Sequence, residues 1–254
     1  MTNIMVVKVI GTGSIAQALQ GMSTTGQRVW INCAGVSHPD YMNQQNRLRE
    51  REHLENIISQ ASSYDRLIHI STPAVLGNLS TDYSEEQEQS DNLTEYGEFK
   101  RSSELKLISS LQKKVLVVRL FSYTSASLKK QIIFDTVRKI QSKSYNFYLE
   151  ENQKRSFVSE IDFKRMVEFT LTQNFDGIVN YTNSKHIYLC DVVKTIFSHY
   201  KVKQSPVFIK PEHHNNYKNL YSDQSTLFDR GFVCKHIGLD AVQHTLDGYE
   251  NHNF

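Results

Sequence analysis

The chain has little cysteine, no excess charge of either sign and no long apolar run. Its three cysteines, Cys33, Cys190 and Cys234, stand far apart without metal-ligand spacing, and an odd number argues against a disulfide framework. A formal charge of +2 with 22% charged residues gives no basic or acidic bias, so neither nucleic acid nor a membrane surface is expected as a partner. No segment approaches the eighteen or so apolar residues that cross a bilayer. Met1-Thr2-Asn3-Ile4 lacks the basic start and apolar stretch of a leader. These absences lead us to expect a soluble, cytoplasmic protein in a reducing compartment. There is no internal repeat or low-complexity tract. At 254 residues the chain suffices for one α/β body with a sizeable core, or for a nucleotide domain plus a small lobe.

What is present centres on Leu67 to Lys100. Leu67-Ile68-His69-Ile70-Ser71-Thr72 is an apolar, β-branched run that reads as a buried strand, stopped by Pro73 and Gly77. After a polar, acidic loop from Asp82 to Asp91, Tyr96-Gly97-Glu98-Phe99-Lys100 opens an amphipathic helix on which Tyr96 and Lys100 share a face. A phenol with a pKa of about 10 is a poor base at neutral pH, and an ammonium one turn away favours its phenolate. With Thr72 as a second hydrogen-bonding group, such a pair can move a proton to or from a carbinol oxygen while the carbon exchanges hydride with a cofactor. A Y-x-x-x-K spacing taken alone also fits two ordinary neighbours on a surface helix.

In combination these residues resemble a known family. Ser71-Thr72-Pro73-Ala74-Val75-Leu76-Gly77, followed by Tyr96-Gly97-Glu98-Phe99-Lys100 and Glu104, is similar to the extended short-chain dehydrogenase/reductases of the nucleotide-sugar epimerase/dehydratase group. Their pattern is Ser-Ser/Thr-x-x-Val-Tyr/Phe-Gly and then Tyr-Gly-x-Ser/Thr-Lys-x-x-x-Glu. The resemblance implies that Thr72 binds the substrate hydroxyl and Tyr96 is the catalytic acid/base. It makes Lys100 the modulator of that phenol and a ribose contact.

Ile4 to Ile10 reads as the first strand. Gly11-Thr12-Gly13-Ser14-Ile15-Ala16 follows it, opening a helix to Gln20 or Met22. A strand, a glycine turn and a helix start form a pyrophosphate cradle, with Gly11 in the tight turn and Gly13 admitting the phosphate; a tight turn with Ala16 for packing is the plainer alternative. A full dinucleotide fold would place a second strand here, ending in an acidic residue for the ribose about twenty residues past the glycines. Instead Gln27-Arg28 leads straight into Val29-Trp30-Ile31-Asn32-Cys33-Ala34-Gly35, which resembles the family's fourth strand, whose end, here Asn32, Ala34 and Gly35, lies over the cofactor. Strands two and three are missing. In the order 3-2-1-4-5-6 their loss leaves 1-4-5-6 continuous, but right-handed crossovers would move the first helix to the other face and displace the cradle. The cofactor then binds in an altered way, or its site is lost.

Beyond these, Ser37-His38-Pro39-Asp40 reads as a turn and residues 43–61 as a polar helix. Asn46 stands about two places from the family's water-holding Asn, and a solvated helix surface is the plainer account of it. Val115 to Phe121 reads as a buried strand in which Arg119 makes a structural ion pair. The resemblance puts Ser122 where an Asn contacts the sugar diphosphate and Arg155 where an Arg grips a phosphate; a solvent ion pair is the equal alternative for Arg155. The expected elements continue with a helix from Leu128 to Ile140, a strand from Tyr145 to Leu149 and a helix from Phe163 to Thr172 capped by Asp162. A strand from Gly177 to Tyr181 and helices from Ile187 to Tyr200 and Leu239 to Tyr249 complete the set. Adjacent His213 and His214 do not point readily at one ion, so no metal is expected.

The expectation is therefore an α/β protein: a Rossmann-like parallel sheet without its second and third strands (residues 1–121), with a small C-terminal α/β substrate lobe (residues 122–254) interleaved with the last strands. The implied activity is ketone/alcohol conversion on a nucleotide-linked sugar with NAD or NADP, by an epimerase or ketoreductase. Pro73-Ala74 replaces the Asp-Glu of the dehydratases and argues against dehydration. A homodimer is the assembly that the resemblance suggests. The rival expectation is a non-catalytic relative kept as a binding or scaffold subunit.

Overall fold

The computed structural model of the chain describes residues 4–36, 43–77, 85, 93–211, 220–222 and 224–250. The expected turn at Ser37 to Asp40, most of the acidic loop and the His213-His214 pair lie outside the described residues. In chain order the elements are β1 (Ile4–Val6), β2 (Lys8–Ile10), α1 (Ser14–Ala18), β3 (Ser23–Thr25), β4 (Val29–Asn32), α2 (Gln44–Ser59) and β5 (Arg66–Ser71). Then come α3 (Glu95–Leu111), β6 (Val115–Leu120), β7 (Ser122–Thr124), α4 (Gln131–Gln141), β8 (Asn146–Tyr148), β9 (Lys154–Arg155) and β10 (Phe157–Ser159). The last are α5 (Glu160–Thr172), β11 (Gly177–Tyr181), β12 (Ile187–Tyr188), α6 (Leu189–His199), β13 (Val207–Ile209), α7 (Thr226–Asp229) and α8 (Leu239–Glu250).

The chain divides into two units. One takes the described residues of 1–77 with Glu85–Leu120 and Lys164–Asn180; the other takes Phe121–Phe163 and the described residues from Tyr181 onward.

The first unit holds a five-stranded Rossmann-like sheet in the order β11-β6-β5-β4-β2. β4 runs parallel to both β2 and β5, and β5 parallel to β6. Strands of a parallel sheet covered on both faces read as continuous apolar runs, and β4 and β6 are buried at every position. The face towards α2 and α3 is closed by Trp30, Leu54, Ile57, Leu67, Leu107, Leu111 and Val117. Each such side chain contributes about 1.5–3 kcal/mol on burial.

β2 sits directly beside β4, so the omitted strands leave the sheet continuous, as the topology argument expects. The N-terminal segment differs from the expected single strand. It breaks at Val7, whose N–H reaches the Met22 carbonyl (3.0 Å), and β1 leaves the sheet to pair antiparallel with β3. The helix ends at Ala18 rather than at Gln20 or Met22. The reason is length. With two strands gone, the chain returns from Gly13 to Val29 through residues 14–28, and a five-residue helix followed by a ribbon does so.

In the second unit α4, α6 and α8 pack around Ile133, Val137, Val192, Ile196, Val242 and Leu246, with Phe147, Val193 and Phe197 forming a smaller cluster. Short strand pairs frame them: β7 with β10 and β8 with β13 run parallel, and β9 with β12 antiparallel. Asp162 is not the cap of α5. Ser159 accepts from the Asp162 N–H (3.1 Å), as an N-cap does at the third helical position. The fully buried Asp162 carboxylate instead accepts from the backbone N–H groups of Lys235 (2.7 Å) and His236 (2.8 Å), tying α5 to the segment before α8.

Candidate active site

The tip of β5 turns at Thr72, whose hydroxyl accepts from the Ala74 N–H (3.3 Å) and starts a single 3-10 turn over Pro73–Leu76. α3 begins against this turn. Thr94 caps it by accepting from Gly97 N–H (3.1 Å), and Glu95 and Glu98 place acidic charge at its positive end. A Cβ on Gly97 would fall 2.5 Å from the Ala74 carbonyl oxygen, so only glycine lets the first turn of α3 approach the strand tip this closely. Thr72 is thereby half-buried two residues before Ala74, while Tyr96 precedes Gly97.

Tyr96 and Lys100 are both buried, 6% exposed each, and Nζ of Lys100 lies 5.8 Å from the centre of the Tyr96 ring. The Tyr96 hydroxyl donates to the Val36 carbonyl (3.3 Å). Lys100 donates to Oε1 of Glu50 at 2.6 Å, and Oε2 of Glu50 accepts from the Val36 N–H at 2.7 Å. The loop after β4 therefore runs between phenol and carboxylate, held to both through Val36. Gly35 makes this possible: its φ is +150°, and a Cβ there would come within 2.9 Å of Lys100 Nζ and 3.1 Å of Glu50 Oε2. Burial lowers the pKa of Lys100, while Glu50 first and Glu104 second act to raise it.

Glu50 has no place in the motif and no sequence expectation. Its signal is legible in retrospect, because Glu50, Leu54 and Ile57 are the buried residues of α2, one stripe at helical spacing with a carboxylate at its head.

A second polar group surrounds Asn32, which is fully buried. Its oxygen accepts from the Ala34 N–H (3.1 Å) and faces Nε2 of His53 (3.0 Å), and its amide faces Nδ1 of His69 (3.0 Å). An amide nitrogen only donates, so Nδ1 of His69 accepts and the ring proton sits on Nε2. That nitrogen is buried with no hydrogen-bond partner among the described residues. Burial first, then Lys100 and His53, push the His69 pKa down to about 3, so the ring is neutral. Behind these, Ser71 donates to Glu104 (2.5 Å), and Glu104 accepts from Arg119 (3.0 Å), with both ion-pair members almost fully buried. This is the structural ion pair expected of Arg119.

The glycine turn meets the same loop. Gly11 has φ +126°, and a Cβ there would lie 3.1 Å from the backbone of Cys33 and Ala34; the Cys33 N–H closes the contact on the Ile10 carbonyl (2.8 Å). Gly13 is exposed at the start of α1, with nothing within 4 Å of where a Cβ would stand, and Ser14 and Ile15 follow half-buried while Ala16 packs inward. This is open backbone beside a helix start, which fits a phosphate. Among the described residues no acidic strand end follows the glycine turn to take a ribose, since β2 is followed in the sheet directly by β4. Ser122 and Arg155 belong to the second unit: Ser122 opens β7, and Arg155, half-buried in β9, donates to the Lys154 carbonyl (2.8 Å). Asn46 lies in the first turn of α2, where its N–H donates to the Asn43 cap (2.9 Å). Among the described residues no group of three His, Cys, Asp or Glu is placed to hold a metal ion, and no helix is long and apolar enough to cross a membrane.

No family model matches the chain, and no curated relative does. Solved structures do. A Bordetella bronchiseptica enzyme, WbmG, in complex with NAD and UDP, superposes with a TM-score of 0.76 at 19% identity, over 88% of this chain and 72% of its own. UDP-glucuronic acid 4-epimerase from Bacillus cereus, in complex with UDP-glucuronic acid and NAD, gives 0.74 at 16% identity, over 94% and 79%. The dTDP-glucose 4,6-dehydratase of Bacillus anthracis, in complex with NAD, gives 0.72 at 17%, over 89% and 73%. Each of these chains is longer than the present one. The chain has the Rossmann-like fold of the extended short-chain dehydrogenase/reductases that act on nucleotide-linked sugars, in a shortened form.

Proposed function

We propose that this protein is an NAD(P)-dependent enzyme that interconverts a hydroxyl and a ketone on a nucleotide-linked sugar. The observation that carries the reading is the burial of Tyr96 and Lys100 one helical turn apart, against the Gly35-Val36 loop at the end of β4. A catalytic phenol and its cation need that placement: sheltered from water, fixed by packing, and beside the loop that in this fold borders the dinucleotide.

Gly11, Gly13, Ser14 and Ile15 would hold the pyrophosphate, and Asn32, Ala34 and Gly35 would shape the floor of the site. Lys100 would also reach a ribose hydroxyl. When bound, the nicotinamide supplies hydride transfer. Tyr96 holds or releases the proton of the sugar hydroxyl, Lys100 favours the phenolate, and Thr72 hydrogen-bonds the same oxygen. Ser122 and Arg155 are the candidates for the sugar diphosphate. The fold likeness extends to a 4,6-dehydratase as well as to epimerases, so the preference for an epimerase or ketoreductase rests on Pro73-Ala74 alone. Pairing of two copies belongs to the same proposal, and light scattering on the purified protein reads it.

The test is incubation of the protein and its Tyr96→Phe variant with UDP- and dTDP-hexoses and NAD(P), with products followed by NMR. Turnover by the wild type and its loss in the variant support the reading; equal turnover by both overturns the role of Tyr96. The second reading, a binding or scaffold subunit, is favoured by the missing ribose strand. Saturable cofactor binding separates the two.

A further inference from the structure

Lys100 is the group on which the acidity of the phenol depends, and its ammonium is buried. A buried ammonium persists only beside a compensating charge. Among the described residues, four elements face it: Glu50 on α2, His69 on β5, Glu104 on α3 and the Gly35-Val36 loop. His69 is neutral, so it offers no compensation. Glu104 is already held by Arg119 and Ser71. Among the described residues Glu50 alone makes direct contact with the amine, at 2.6 Å, with side chains 7% and 2% exposed. Its second oxygen is fixed by the Val36 N–H, and the Val36 carbonyl receives the Tyr96 hydroxyl. The carboxylate thus holds the amine and the loop in one arrangement.

We propose that Glu50 is a positioning residue of the active site, which keeps Lys100 charged at neutral pH and fixes it beside Tyr96. The inference rests on the acid/base reading for its functional meaning, but the charge state of Lys100 is measurable without substrate or cofactor. Removing the carboxylate leaves Lys100, among the described residues, with the committed Glu104 and the neutral His69, so the amine gives up its proton more readily. The phenol then loses the cation that favours its ionised form.

The experiment is a pH titration of the lysine side-chain carbons by NMR in the ligand-free protein, with the Lys100 signal assigned through Lys100→Arg. Glu50→Gln is expected to lower the Lys100 midpoint by more than one pH unit, and Glu50→Asp, which keeps the charge one methylene further back, by less. An unchanged Lys100 midpoint in folded Glu50→Gln overturns the proposal. Should Glu50→Gln fail to fold, Glu50→Asp decides: a lowered midpoint supports the proposal and a wild-type midpoint overturns it. Where turnover is present, the basic form of the enzyme in Glu50→Gln should appear at higher pH, which a purely structural ion pair would not move. Failure to bind NAD(P) would remove the acid/base reading yet leave the Lys100 titration as it stands, so the two failures are distinguishable.

Discussion

Two regions of the sheet-bearing unit have been treated differently. Around β5 and α3, polar side chains are buried in interlocking pairs: Lys100 with Glu50, Arg119 with Glu104, Asn32 between His53 and His69. Around β1, α1 and β3 the chain is abbreviated, with a five-residue helix, a two-stranded ribbon outside the main sheet, and Ile4 and Val6 exposed at 76% and 80%. Burying charges is costly unless each is paired, so the first region is a commitment of the fold. The second shows that strands at a sheet edge can be omitted without disturbing the strands inside. The acid/base residues lie in the committed region, and the phosphate cradle lies where the two meet.

Perturbations sharpen this contrast. Tyr96→Phe deletes one hydroxyl and should reduce turnover by roughly 10²–10⁴-fold, the range of a positioned acid/base, with an unchanged circular dichroism spectrum. Glu104→Gln leaves the Arg119 guanidinium buried without its counter-charge and should destabilise by about 3–5 kcal/mol in denaturant melts; a loss near zero would mean that the committed region is more open to water than described. Gly97→Ala drives a methyl into the Ala74 carbonyl and should cost about 1–3 kcal/mol. Gly13→Ala has open space and a backbone that any residue adopts (φ −75°, ψ 174°), so stability should hold or rise slightly while cofactor affinity falls.

A further effect is one of pH. His69 takes a proton in the unfolded chain near 6.5, its ordinary value, but in the folded protein only near 3. Stability carried by this depressed pKa is complete above about 6.5 and is lost as pH falls towards 3, with a slope of about 1.4 kcal/mol per pH unit from this group. His69→Gln should flatten that part of the stability profile, as read by urea melts across the range.

The sheet was largely legible in the sequence because buried parallel strands announce themselves as apolar runs, as Leu67 to Ser71 and Val115 to Leu120 do. The Tyr96–Lys100 spacing was legible for a similar reason, since helix faces are local. What escaped depends on contacts distant in sequence. Glu50 meets Lys100 fifty residues on, and nothing near Glu50 distinguishes it from the other charges of α2 except its place on the Leu54–Ile57 stripe. Asp162 looked like a cap because caps are recognised by residue type; Ser159 took that role, and the carboxylate went to backbone groups beyond residue 230. The break at Val7 follows from the short return to Val29, which only the three-dimensional path reveals.

The most direct test of the account is a calorimetric titration of the purified protein with NAD(H) and NADP(H). One saturable site per chain, weakened by Gly13→Ala, is the expected result; absence of saturable binding to either dinucleotide would contradict the enzymatic reading and leave a fold retained for another purpose.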